Sequence, residues 1–174
     1  CVVVCAVHGT PSKDVLAPFI PSTVSYPHMS DVPRYWSPEF VEAFVEAINA
    51  DTEFQGTASG FSNTIELRCF DTPAGEDVAA AYSFEDGKIV DVDLWIDEAP
   101  SEDMRDEPFD KSIMMARASA PYSMWVKMDQ GEIGAMQALT SPDYVIDGST
   151  IKIMSNMGVF RGLNEVAAKI DKTY

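Results

Sequence analysis

The chain has only two histidines, His8 and His28, both close to its amino-terminal end. Neither falls within a periodic segment, so a Ser-His-Asp or Cys-His arrangement has no imidazole base inside the organised part of the chain. Cys1, Cys5 and Cys69 form an odd set without C-x-x-C spacing. That gives no zinc site and no disulfide framework, and it points to a reducing, cytoplasmic setting. There is no Gly-x-Ser-x-Gly nucleophile turn and no dinucleotide fingerprint. Gly56 and Gly60 stand one residue too close for a phosphate loop, with Phe61 where its lysine belongs. Carboxylates are plentiful, and one buried among apolar groups could act as a general base on an apolar substrate. In a chain this acidic, however, paired carboxylates are expected by chance. Asp91, Asp93, Asp97, Glu98, Glu102, Asp103, Asp106, Glu107 and Asp110 crowd residues 91–110 beside Arg105. A calcium loop needs ligands at set intervals around a central glycine, and that pattern is missing. The segment reads as a solvated loop. No catalytic group, metal or cofactor is expected.

The apolar side chains are the more informative class. Met124, Trp125 and Met128 share a helix face, and Ile133, Met136 and Leu139 follow at helical spacing. Farther on, Ile153, Met157, Phe160, Leu163, Ala167 and Ile170 form one stripe, flanked by Met154 and Val166. Such stripes are core in most proteins. Two features favour a cavity wall. Nine methionines are generous for a chain of 174 residues, and methionine suits surfaces that repack around varied partners. Apolar stripes on two helical regions over one sheet can also enclose a pocket. Gly158 and Gly162, inside the last stripe, each cost a helix interior about 1 kcal/mol relative to alanine. They mark a place where something packs close or moves.

Charge and length narrow the partners. A net charge of −16 disfavours nucleic acid, whose binding draws on Lys and Arg, and allows at most transient contact with anionic membranes. No window holds the roughly 18 uninterrupted apolar residues of a membrane span. The opening CVVVCAV is too short for one, and no basic region precedes it to make a signal peptide.

The elements that position these residues follow from period and punctuation. Residues 1–35 hold five prolines and little periodicity and read as an irregular arm, leaving 36–174 as one domain. Ser37 and Pro38 open an amphipathic helix with Phe40, Phe44 and Ile48 on its apolar side. Residues 62–98 alternate apolar and polar, as in Ile65-Glu66-Leu67-Arg68-Cys69, and predict a three-stranded antiparallel meander with one face in water. Residues 111–120 predict a fourth strand, 121–131 a short helix stopped by Gly131, 132–141 a helical turn and 143–148 a fifth strand. A closing helix runs to about Ile170, with Glu165 and Lys169 spaced to pair along its exposed side. The order is that of an α+β domain.

Residues 38–170 resemble the sterol carrier protein 2 family of non-specific lipid-transfer domains. The likeness rests on the first helix, on YSFEDGKIVDVDLWID as strand, turn and strand, and on MWVKMDQGEIGAMQALTSPDYVIDGSTIKIMSNMGVFRGL. In the last, Gly131, Ala135 and Gly148 fall on small positions of the family pattern, and Met154, Met157, Phe160 and Leu163 on its Met- and Leu-rich closing helix. The TSPD stretch and the long acidic segment depart from that pattern. The resemblance implies a five-stranded, largely antiparallel sheet covered by helices that enclose a hydrophobic tunnel. It implies non-catalytic binding of a lipid or other apolar small molecule, such as a fatty acid, acyl-CoA, sterol or phospholipid. The expected tunnel residues are Phe40, Phe44, Ile48, Trp125, Met128, Met136, Met154, Met157, Phe160 and Leu163. The acidic surface disfavours anionic head groups, with Lys127, Lys152 and Arg161 the nearest offsetting cations. A module of the same fold with a filled core, serving interaction or regulation, remains the alternative.

Overall fold

Ser37 and Pro38 start the first helix as their positions predict. The computed structural model describes residues 32–174; residues 1–31 of the expected arm, with Cys1, Cys5, His8 and His28, lie outside the described residues. In α1 (Pro38–Ala50) the Ser37 hydroxyl accepts from the Phe40 N–H at 3.3 Å, and Pro38 sits in the first turn, where its missing N–H is not needed. Phe40, Val41, Phe44 and Ile48 form its buried side. Asp51 ends α1 and begins a helix the periodicity does not reveal, α2 (Thr52–Thr57), by accepting from the Glu53 and Phe54 N–H groups at 3.0 and 2.9 Å. Residues 32–35, expected in the arm, pack on the domain: Tyr35 is buried, and its N–H donates to the Thr173 carbonyl at 2.8 Å.

β1 (Thr64–Phe70), β2 (Glu76–Glu85) and β3 (Lys88–Glu98) form the expected antiparallel meander. Asp86 and Gly87 join β2 to β3 with φ of 48° and 80°, the left-handed pair that a two-residue hairpin requires. A Cβ on Gly87 would also lie 2.7 Å from the Ala58 carbonyl oxygen, so the position needs glycine for space as well. β4 (Ala116–Pro121) runs parallel to β1, and β5 (Val145–Gly148) antiparallel to β4. The sheet order is β3-β2-β1-β4-β5. The domain is therefore α+β with a five-stranded, mostly antiparallel sheet. The fourth strand begins later than residue 111, because the Asp110 carboxylate accepts from the Ser112 N–H and hydroxyl at 2.8 and 2.6 Å and turns the chain there.

The expectation of a sheet with one face in water is overturned at its centre. Glu66 and Arg68 point away from the main core, yet both are buried, Arg68 to 1% exposure. The acidic segment covers them. It is not a solvated loop: Ser101 caps a short helix, α3 (Glu102–Asp106), that buries Met104 completely. The Arg68 guanidinium donates to the Met104 carbonyl, to Glu66 at 3.1 Å and to Glu107. Arg117, opposite Glu66 in register, donates to Glu66 at 2.5 Å and to the Glu107 carbonyl and carboxylate at 2.8 and 3.1 Å. Two arginines and two glutamates thus balance in charge. Alternation alone cannot reveal this, since a buried, mutually neutralised pair has the same residue types as a solvated face.

A second pairing fastens α3 to the sheet. The Asp77 side chain has no solvent exposure and accepts from Arg105 Nε at 2.7 Å and from the Asp71 and Ser101 N–H groups at 2.9 Å. Burial by itself raises the pKa of Asp77, but the Arg105 and backbone donors outweigh it and hold the carboxyl below its usual value. A carboxylate depressed in the folded state contributes stability that is complete above the unfolded pKa, near pH 4, and is lost as pH falls through the folded value. Asp77→Asn is expected to cost about 1–3 kcal/mol at neutral pH by removing the buried charge that accepts from Arg105 and two backbone N–H groups, Arg105 keeping only its contact with Asp71 at 2.7 Å. It should also flatten the loss of stability below about pH 4. Urea unfolding across that range checks both, and an acid limb identical to that of the parent would refute the assignment.

Candidate functional site

Register builds the floor of the site. On the inner face of the sheet Leu67 is flanked by Ala80 of β2 and Ala118 of β4, between rows carrying Tyr82-Ile65-Ala116 and Val78-Cys69-Ala120. The alanines leave room above Leu67, and bulky side chains from the helices arch over that room. α4 (Tyr122–Asp129) is pinned to the sheet by Trp125, whose Nε1 donates to the Arg68 carbonyl at 2.9 Å. Trp36, held at φ 68°, brings its ring to 5.1 Å from that of Trp125, and Tyr144 meets Trp125 edge-on at 5.7 Å. Beneath this aromatic arch remains a cavity of about 50 Å³.

A larger cleft of about 590 Å³ opens outward between the 129–136 segment, which ends in α5 (Ala135–Ala138), and α7 (Met157–Lys169). Met128, Ala135 and Asn164 line both spaces and so form the junction between them. Of the ten residues expected at the tunnel, Phe40, Phe44, Trp125, Met128, Phe160 and Leu163 line the inner cavity. Met136 and Met157, with Met128, line the outer cleft. Ile48 is buried in the core, away from both. Met154 is 50% exposed and also lines neither. Its displacement follows from a break in the closing helix. Asn156, at φ −113° and ψ 20°, separates α6 (Thr150–Ser155) from α7, so Met154 no longer continues the α7 stripe. Leu67 and Tyr82 were legible as inner-face strand residues; Tyr35, assigned to the arm, and Trp36, just ahead of the first helix, carried no periodic signal.

The two glycines of α7 have a concrete role. A Cβ on Gly162 would lie 2.8 Å from Phe54 Cδ2, and one on Gly158 would lie 3.0 Å from Thr57 Cγ2. Both let α7 lie directly against α2. The far end of α7 is fastened there too, by Lys169 Nζ donating to Asp51 Oδ2 at 2.8 Å. Lys169 therefore does not pair with Glu165 as spacing predicts; Glu165 pairs with Arg161 at 3.3 Å.

The chemistry of the lining is mainly apolar. Burial pushes the Cys69 thiol well above its usual pKa, so no thiolate nucleophile is available there. Among the described residues, no group of three or more metal-ligating side chains is assembled, and no helix is long and apolar enough to cross a membrane. One polar cluster does border the cleft. Asp129 accepts from Lys172 Nζ at 2.9 Å and from the Tyr174 hydroxyl. Nothing in the sequence pattern linked residues so far apart.

A five-stranded mixed sheet with helices arched over one face and a cavity between the layers defines a domain of the sterol carrier protein 2 fold. A crystal structure of sterol carrier protein 2 superposes with a TM-score of 0.63 at 16% identity, covering 79% of this chain and 99% of that one. The solution structure of a conserved hypothetical protein from Thermus thermophilus gives 0.59 at 15% identity, over 79% of this chain and 90% of the other. No protein-family model matches the chain. No curated protein matches it either.

Gly162→Ala tests the close contact. Alanine gains about 1 kcal/mol of helix propensity, whereas overpacking against a buried ring costs about 1–3 kcal/mol. The net expectation is a loss of about 1 kcal/mol, relieved by adding Phe54→Leu. A more stable Gly162→Ala protein in chemical denaturation would refute the contact.

Proposed function

We propose that the domain binds and carries an apolar ligand, of the fatty acid, acyl-CoA, sterol or phospholipid kind, without covalent chemistry. The observation that supports this reading is an open cleft lying beside an aromatic cavity between sheet and helices, with Met128, Ala135 and Asn164 lining both. A cleft of about 590 Å³ falls within the range of roughly 300–1,000 Å³ usual for small-molecule sites. Burial supplies the affinity, at about 0.8 kcal/mol per methylene withdrawn from water. The fold likeness to a sterol carrier protein supports the same reading. The domain then acts as a vessel, and its surface charge keeps it soluble between donor and acceptor membranes.

A filled-core interaction module is the competing reading, favoured by the small size of the inner cavity, about 50 Å³. An acyl chain entering it must displace Phe160 or Leu163 of α7. Native mass spectrometry of freshly purified protein, with organic extraction, separates the two: the carrier predicts bound lipid, the module none. Ala135→Trp sharpens the test by plugging the junction. It is expected to lower lipid occupancy at least tenfold while the melting transition is kept. Unchanged occupancy would sink the proposed location.

A further inference from the structure

The outer face of the sheet is left uncovered toward β3. By register Asp93 stands beside Ala81 and Trp95 beside Ala79, on the same face as Glu66 and Arg68. The two alanines form the floor of a trough of about 340 Å³, walled on one side by Asp91, Asp93 and Trp95 and on the other by Glu107 and Met114. Glu66 and Glu107, which also line it, are balanced by Arg68 and Arg117. Asp91 and Asp93 are exposed, and neither forms an ion pair among the described residues. β3 is also an edge of the sheet, with β2 its only strand neighbour among the described residues. Both ends of that edge are closed. The Asn49 carboxamide accepts from the Ile89 N–H at 2.8 Å and donates to the Ile89 carbonyl at 2.9 Å, and the Asp97 carboxylate accepts from the Glu98 N–H at 2.9 Å. Between them, from Asp91 to Ile96, pairing with β2 is regular, and no other described element hydrogen-bonds to the backbone. Alternate N–H and C=O groups of that stretch face away from β2, and it contains neither the proline nor the lysine that commonly blunts an edge.

We propose that this edge takes up, as a further strand, an extended segment of another protein in which Lys or Arg alternates with aliphatic residues. The alternation follows from the two faces of β3. Asp91, Asp93 and Trp95 stand on the outer face, whereas Val92, Leu94 and Ile96 are half-buried on the inner face against the core. A strand added beside β3 repeats that alternation, because residues facing one another across a pair share a side of the sheet. Its outer side chains meet Asp91 and Asp93, where a cation is stabilising and a carboxylate is repelled. Lys and Arg are long enough to lean across β3 into the trough, where Ala79 and Ala81 leave space and the Trp95 indole forms part of the wall. Its inner side chains extend the apolar layer past Val92, Leu94 and Ile96. The same charges exclude a second copy of this chain, since two β3 strands side by side would set carboxylates against carboxylates on the outer face. This surface lies on the opposite side of the sheet from the aromatic cavity, and its use does not depend on what the cavity holds.

Two heptapeptides of one composition test this on the protein as it is. One alternates lysine and valine from end to end, and the other carries its lysines in a single block. Calorimetric titration is expected to show about tenfold tighter binding of the alternating peptide. Amide hydrogen exchange should slow across Asp91–Ile96 when it binds, since strand pairing supplies partners to the free edge. Asp91→Asn/Asp93→Asn, at two exposed positions, should lower its affinity about tenfold and leave the melting transition unchanged. Equal affinity for the two peptides, binding without protection of Asp91–Ile96, or binding of neither overturns the proposal. A peptide alternating glutamate and valine that binds as tightly overturns the choice of a basic partner. A dimer of the parent protein with Asp91–Ile96 already protected overturns it too, by assigning the edge to a second copy.

Discussion

Glu66 and Arg68 sit on the middle strand of the sheet with water excluded from both of its faces, and the rest of the structure is arranged around that constraint. Charges withdrawn from water must be neutralised and hydrogen-bonded, or the strand cannot stay where it is. Arg117 of β4 and Glu107 of the covering segment complete the set, which ties β1 to β4 and the 99–115 stretch to the sheet. Asp77 with Arg105 repeats the solution one strand away. Behind this closed centre of the outer face, the inner face is undersized, with alanines on either side of Leu67.

The undersized face makes the site. Large residues on the strands would fill the gap between sheet and helices, whereas Ala80 and Ala118 leave it to Trp125, Phe160 and Leu163 to span. The helices that span it are fastened at their margins: α4 by Trp125 to β1, and α7 by its glycines and Lys169 to the α1–α2 corner. Between those fastenings lie the junction residues Met128, Ala135 and Asn164. Methionine, the most pliable of the apolar side chains, is one of the three residues shared by the two spaces.

Much of the fold was legible in the chain. The Ser37-Pro38 cap, the Asp86-Gly87 turn and the Gly131 stop each act where their backbone preferences say they must. Six of the ten expected site residues line the inner cavity, because helical period brings Phe40, Phe44, Trp125, Met128, Phe160 and Leu163 to one layer. The misreadings share one cause. The acidic segment, the partner of Lys169 and the break at Asn156 all depend on contacts between residues distant in sequence or on a local backbone turn that periodicity does not register. The resemblance to a known family went further than periodicity could, since it implied that the five strands form one largely antiparallel sheet covered by helices.

Sequence alone determined which faces are apolar, where most helices and turns begin, and that the chain lacks the motifs of the common catalytic machineries, since these depend on residue type and short-range spacing. Only the tertiary structure decided that Glu66 and Arg68 at the centre of the outer face are buried, that Gly158 and Gly162 serve close packing against α2, and that Asp129 meets Lys172 and Tyr174 at the edge of the cleft. Burial and pairing are properties of neighbours in space. A glutamate in an alternating strand has the same local signature in water as beside two arginines, and the difference arises only when a distant segment folds over it.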